Sequence, residues 1–317
     1  MTTLTLDFDG VLFFPVTPFT PSGSVDTALL GEHVASRLPY LPGGVFPACG
    51  TGEFHALSTS EVRTVVAATV EAVAAAGGAV PVVAGTGGSL GNAIEIARDA
   101  AEVGADALLV LPPYLVSGTG DGLVAYVEAI ASASPLPVIL YHRGTAAYTA
   151  ETVTRLAANP KVVGFKDGTG DVGRAQEIVL AVAATGRTDF QFFNGLLTAE
   201  LTQGAYRGLG LPLYSSAAFA MAPEIAVAHY DAYTSGDDVR RMQLLDAFYR
   251  PLVRLRDQVP GFGVSLIKAG LRLRGLPVGS VRAPLVDPNP EQLAELARVL
   301  DAGFENVGAP VLAASAA

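Results

Sequence analysis

Short, nearly unbroken apolar runs alternate with longer stretches of helical spacing along the first two-thirds of the chain. The runs at 11–16, 44–48, 80–85, 107–111, 137–141, 162–166, 190–193 and 211–214 predict eight β-strands. Continuous apolar character marks strands buried on both faces, as in parallel sheets. Between them the spacing predicts helices over 58–76, 89–103, 122–133, 150–158, 172–185 and 198–206. The first of these opens with Ser58 and Glu61, a capping box in which side chains and backbone satisfy each other's free groups. Strand then helix, repeated eight times, predicts an α/β fold, a (β/α)8 TIM barrel over residues 1–235, with an open doubly wound sheet as the alternative. Beyond Pro223 only helical patterns follow, at 224–234, 237–256, 264–274 and 291–300. The first is expected to close the barrel and the others to form a C-terminal helical extension over 236–305. The last residues, 306–317, are expected to be a flexible tail, frayed from Gly308 onward because it is Ala-rich and has little to bury.

Composition narrows the function. Of 317 residues, 50% are hydrophobic and 16% charged, enough apolar material for a large core. The formal net charge is −10 with no run of Lys or Arg, which argues against the basic stripe of a nucleic-acid binder. No apolar run approaches the roughly 20 residues that span a bilayer. The opening MTTLTLDFDG lacks the basic-then-apolar order of a signal peptide. With Cys49 as the one cysteine, no internal disulfide is possible and a reducing cytoplasm is expected. The expected partner is therefore a small molecule, with no nucleic acid and no membrane.

In a closed parallel barrel the site lies at the C-terminal ends of the strands. The sixth run ends in Lys166, where burial favours the neutral amine that attacks a carbonyl carbon. The alternative is a strand-end lysine paired with Asp167 or Asp171. The fifth run ends in Tyr141, a candidate proton shuttle or else a rim tyrosine with its hydroxyl in water. His142 and Arg143 follow, and Arg143 is a candidate fork for a carboxylate. After the second run, Gly50, Thr51 and Gly52 form a tight turn whose backbone N–H groups suit an anion, with Glu53 bracing the loop. The Gly-rich stretch 85–88 lacks the full GxGxxG spacing and follows the third strand, so no dinucleotide is expected. His33, His55, His142 and His229 offer no close ligand pair, and no GxSxG elbow occurs, so neither metal nor cofactor is expected.

Taken together, the GTGE turn after strand two, Tyr141 ending strand five and Lys166 ending strand six resemble the dihydrodipicolinate synthase and N-acetylneuraminate lyase superfamily, over residues 10–300. The resemblance implies a Schiff base between Lys166 and a 2-keto acid, with Tyr141 relaying protons. The stretches GVLFFPVTPF, GTGEF, LLVLPPYL, NGLLTAE, PLYSSA and VSLIKAG followed by VRAPL are similar to a dehydratase branch that removes water and CO2 from a keto sugar diacid. The synthase branch carries a second Tyr where Leu115 follows Tyr114 here. On this likeness Gly50, Thr51 and Gly52 hold the carboxylate beside the ketone, Arg143 receives the distal carboxylate, and Ser215 or Ser216 helps the hydroxyl leave. Gly195 is a further substrate-binding candidate, and a homo-oligomer, tetramer or dimer, is implied. The chain departs from the branch at Cys49, His55, His142 and Leu197, where the pattern has Gly, an aromatic, Asn and Pro. Cys49 and His142 are thus candidates for a pocket wall that shifts the substrate within the sugar-acid class. The competing readings are an aldolase of the same superfamily, giving pyruvate and an aldehyde, and a non-enzymatic sugar-acid sensor.

Overall fold

The computed structural model describes residues 6, 8–78 and 80–312. Its strands are β1 (Leu12–Phe13), β2 (Gly44–Val45), β3 (Val83–Gly88), β4 (Ala107–Pro113), β5 (Val138–His142), β6 (Val162–Asp167), β7 (Gln191–Asn194) and β8 (Leu213–Ser216). They pair in parallel in the order β2-β1-β8-β7-β6-β5-β4-β3. A further parallel bridge between Val45 and Val82 joins the two ends, so the sheet closes into the expected barrel. β1 and β2 are shorter than their apolar runs. Pro15 and Pro47 interrupt those runs and have no N–H to give a ladder. β8 lies two residues later than its apolar run suggested.

The helices are α1 (Thr27–Ala35), α2 (Thr59–Ala75), α3 (Leu90–Glu102), α4 (Gly120–Ala133), α5 (Ala150–Ala157), α6 (Val172–Ala183), α7 (Glu200–Gly208), α8 (Ala218–Met221), α9 (Pro223–Ser235), α10 (Asp238–Leu244), α11 (Arg250–Arg256), α12 (Phe262–Leu273) and α13 (Pro290–Val307). The predicted capping box of α2 is present in full. Helix α1 escapes the sequence pattern because its apolar stripe is short and broken by Gly31. It is started by Asp26, whose side chain accepts from the Leu29 N–H at 3.0 Å. The single helix expected over 237–256 is divided by a π-helical turn at Leu245–Tyr249. Helix α13 outruns its predicted end and stops at Gly308, a left-handed cap with φ 67°. Past it the Leu312 N–H still donates to Asp301 at 2.9 Å, so the chain is held beyond the predicted start of the tail. The remainder of that tail, 313–317, lies outside the described residues.

Side chains alternate between two cores. Leu12, Phe14, Phe46, Val83, Ala107, Leu109, Ile139, Tyr141 and Phe193 meet inside the barrel. Val45, Leu108, Val110, Leu140 and Phe165 turn outward against the helices. Phe8 closes the N-terminal end of the barrel, its ring 5.5 Å from Phe193 and 5.8 Å from Phe46. The C-terminal end is left as the open one. Among the described residues no helix is long and apolar enough to cross a membrane.

Candidate active site

The C-terminal strand ends open into a cleft of about 1140 Å³. Lys166 lies on its floor, 5% exposed, directly opposite Tyr141 in the β5–β6 register. Its Nζ sits 4.3 Å from the Phe14 ring centroid and 4.4 Å from that of Tyr141. Burial pulls the Lys166 pKa below the ordinary lysine value. The neighbouring Tyr141 and Cys49 oppose that shift and Arg143 adds to it. The strand-cap alternative, pairing with Asp167 or Asp171, fails on geometry: Asp171 caps α6, accepting from the Arg174 N–H at 3.0 Å. Asp167 is one residue on and faces the helices, where it accepts from the Tyr206 hydroxyl at 2.5 Å and from Thr169 Oγ1 at 2.8 Å.

The Tyr141 hydroxyl donates to the Gly195 carbonyl at 3.1 Å and accepts from Arg143 Nη1 at 2.9 Å. The phenol is therefore held by two partners beside the amine. Glycine at 195 is a steric necessity, since a Cβ there would lie 2.7 Å from both Cγ and Cε of Lys166. Gly195→Ala is expected to push the lysine out of line and lower kcat about 10²-fold, the usual cost of misplacing a reacting group by an ångström. Steady-state kinetics beside an unchanged circular-dichroism spectrum checks this.

The turn over 50–52 follows β2. Ala48 and Glu53 adopt left-handed conformations, with φ 51° and 59°. Between them Glu53 N–H bonds the Gly50 carbonyl at 3.2 Å and Phe54 N–H bonds that of Cys49 at 3.2 Å. The N–H groups of Gly50, Thr51 and Gly52 have no backbone acceptor among the described residues. Gly50 and Thr51 line the cleft. Gly52 lies beneath the turn, its carbonyl accepting from Thr17 Oγ1 at 2.7 Å. Glu53 braces the loop as expected, through a buried contact with Lys268 at 2.7 Å. Cys49 does line the cleft, but burial pushes its thiol up to about 12, so it is not a nucleophile near neutrality.

Two expectations need correction, both for the same reason. Successive residues of a strand point to opposite faces. Ser215 faces the cleft with its Oγ 3.4 Å from the Asn194 carbonyl, whereas Ser216 turns into the helical shell and donates to Glu200. His142 likewise turns away from Tyr141's face and packs 5.5 Å from the Phe165 ring. His55 and Leu197 do border the cleft.

Residues not singled out by the sequence are Phe14, Arg256 and Glu200. Phe14 was legible as the second residue after Leu12 on the inward face. Arg256 and Glu200 carried no local signal. Glu200 is fully buried, and desolvation raises its carboxyl to about 7, against a hydrogen bond from Ser216. A carboxyl raised in the fold stabilises it below the unfolded value of 4.5, and that stability is lost as pH rises through 7. Glu200→Gln is expected to remove this slope, gaining about 3 kcal/mol relative to wild type between pH 4.5 and 8. Urea melts at the two pH values measure it.

A buried amine and a tethered phenol at adjoining strand ends, facing the glycine-rich turn after β2, define a TIM-barrel enzyme with its site at the strand C-termini. A family model described as the dihydrodipicolinate synthetase family matches residues 7–303, and the chain belongs to that family. A Streptomyces coelicolor protein named "Probable 5-dehydro-4-deoxyglucarate dehydratase 2" is 52% identical over 94% of this chain and 91% of its own. An Acidovorax ebreus protein named "Probable 5-dehydro-4-deoxyglucarate dehydratase" is 38% identical over 92% of this chain and 94% of its own. The crystal structure of dihydrodipicolinate synthase from Oceanobacillus iheyensis superimposes with a TM-score of 0.84 at 27% identity, covering 93% of this chain and 96% of that one.

Proposed function

We propose that this chain converts 5-dehydro-4-deoxy-D-glucarate to 2,5-dioxopentanoate, CO2 and water through a Schiff base on Lys166. The observation that carries the reading is the buried Lys166 amine, its pKa lowered, beside the doubly bonded Tyr141 hydroxyl. Relatives named for this dehydratase support the choice of substrate.

The N–H groups of Gly50 and Thr51 hold the carboxylate next to the ketone. Neutral Lys166 adds to the ketone carbon, and Tyr141 relays protons as water leaves and the imine forms. The protonated imine withdraws electrons and acidifies the neighbouring CH2. Loss of that proton, then of the hydroxyl one carbon further on, gives a conjugated imine, with Ser215 as the cleft-facing donor to the departing hydroxyl. The bond to the distal carboxylate then breaks. Its electron pair passes along the conjugated chain to nitrogen, CO2 departs, and the enol left behind becomes the aldehyde. Hydrolysis frees Lys166. Because the imine is the electron sink, the sequence of steps needs no metal or nucleotide.

Incubation with the diacid and borohydride, followed by peptide mass spectrometry and a CO2 assay, tests this. A reduced adduct on Lys166 with CO2 released is the expected result. An adduct with pyruvate formed instead of CO2 would make the enzyme an aldolase, and no adduct with any keto acid would end the Schiff-base reading.

The lone, buried thiol of Cys49 suits a reducing cytoplasm. Beside the cleft mouth Tyr114, Leu115 and Val116 are exposed at 71%, 79% and 68%. A contiguous apolar edge of this kind favours a homo-oligomer in which a second copy covers it.

A further inference from the structure

We infer that Arg256, supplied by the C-terminal extension, is the residue that selects a dicarboxylic substrate by binding its distal carboxylate. The inference rests on the proposed dehydratase reading and names a group that reading lacks. Among the described residues the Lys and Arg side chains lining the cleft are Lys166, Arg143 and Arg256. Lys166 is committed to the ketone. Arg143 directs Nη1 at the Tyr141 hydroxyl at 2.9 Å, which places its charge beside the phenol of the proton relay.

Arg256 also lines the cleft and is held by two partners. Its Nη1 donates to Thr198 Oγ1 at 2.8 Å, and its Nε and Nη2 both approach Asp257 Oδ1 at 2.8 Å. A guanidinium has five N–H groups, so these contacts leave two for a ligand. The side chain is only 16% exposed, while Asp257 is 61% exposed and stays mostly in water. A carboxylate arriving at Arg256 would make charge-assisted bonds away from bulk solvent, the setting in which they are strongest.

The β7–α7 loop touches both side chains. Gly195 packs against the Lys166 side chain, and Thr198, three residues on, holds Arg256. Three residues span at most about 11 Å, so a single short loop contacts both the lysine and the arginine. Thr198 itself has φ 54°, a left-handed conformation that a β-branched residue takes only where its surroundings hold it.

The test compares the diacid with a 2-keto-3-deoxy acid of the same length that ends in a hydroxymethyl group. For Arg256→Gln the KM for the diacid is expected to rise about 30-fold, the cost of a lost bond to a charged group. The rate of borohydride trapping of the monoacid on Lys166 is expected to change less than about 3-fold on the same principle. Arg256→Lys, which keeps the charge and loses the fork, is expected to fall between. Equal losses on both acids would mean that Arg256 only supports the wall and would overturn the inference. So would a selective loss of the diacid in Arg143→Gln with none in Arg256→Gln. Failure of the wild-type enzyme to form an adduct with either acid would instead remove the dehydratase reading beneath it.

Discussion

Lys166→Met is expected to abolish borohydride trapping and to lower kcat about 10⁴-fold or more, because among the described residues no other lysine lines the cleft. Lys161 is tied to the carbonyls of Ala131 and Ser134 at 2.8 and 2.7 Å, and Lys268 is tied to Glu53. Methionine fills the same space between Phe14 and Tyr141 without carrying a charge. The variant should therefore melt no lower than wild type, since a buried amine costs stability that an apolar side chain does not. The sign of the pH effect agrees. Lys166 is depressed below 10.5, so its penalty is full below the lowered value and fades as pH rises toward 10.5. The same depression puts the acid limb of kcat/KM below the ordinary lysine range. Active-site removal by unfolding would lower the melting temperature and kcat together; loss of the nucleophile lowers kcat alone. Retention of even a tenth of wild-type kcat in a folded Lys166→Met would sink the Schiff-base assignment.

How far the sequence could be read follows from what each residue's neighbourhood reveals locally. Lys166 and Tyr141 stand out because each ends an apolar strand, and a polar group there has a floor of buried side chains beneath it. Which face a strand residue takes is harder to read. Both faces of these strands are apolar, so the alternation that would sort Ser215 from Ser216, or Tyr141 from His142, is hidden until the register is known. Arg256 and Glu200 are legible only in three dimensions. Arg256 sits 90 residues after Lys166 on a helix whose pattern reads as core, and folding brings it to the cleft. Glu200 looks like an ordinary first-turn acid of a helix. Only the packing of the π-helical turn bearing Tyr249 and of Ser216 around it explains its burial. The shortfall in β1 and β2 was readable in principle, since Pro15 and Pro47 stand inside the apolar runs.

Lys268→Met is expected to destabilise the protein by about 3–5 kcal/mol, the cost of leaving one member of a buried ion pair alone. Glu53 and Lys268 are both 0% exposed and meet at 2.7 Å. The pair is closed by further bonds, from the Arg282 N–H to the other Glu53 oxygen at 2.7 Å and from Lys268 to the Ser280 carbonyl at 2.9 Å. Phe19 stacks under both cations, at 4.1 Å from Lys268 Nζ and 4.1 Å from the Arg282 guanidinium. Burial lowers the Lys268 pKa and Glu53 opposes the fall, so removing either charge exposes the other to the full desolvation cost. Glu53 also ends the glycine-rich turn after β2 and holds a left-handed φ of 59°. The C-terminal extension thus clamps the turn proposed to receive the substrate carboxylate, and damage to the clamp should reach binding as well as stability. In Lys268→Met the KM for pyruvate trapping and for the diacid should rise together, because both present a carboxylate to Gly50 and Thr51. That joint rise separates the clamp from Arg256, whose loss affects the diacid alone. Glu53→Gln combined with Lys268→Met removes both charges and is expected to recover much of the stability lost in the single variant. Chemical denaturation of the three variants measures it. A Lys268→Met protein as stable as wild type would mean that the neighbouring Arg282 N–H and Phe19 contacts suffice to hold the turn without the lysine.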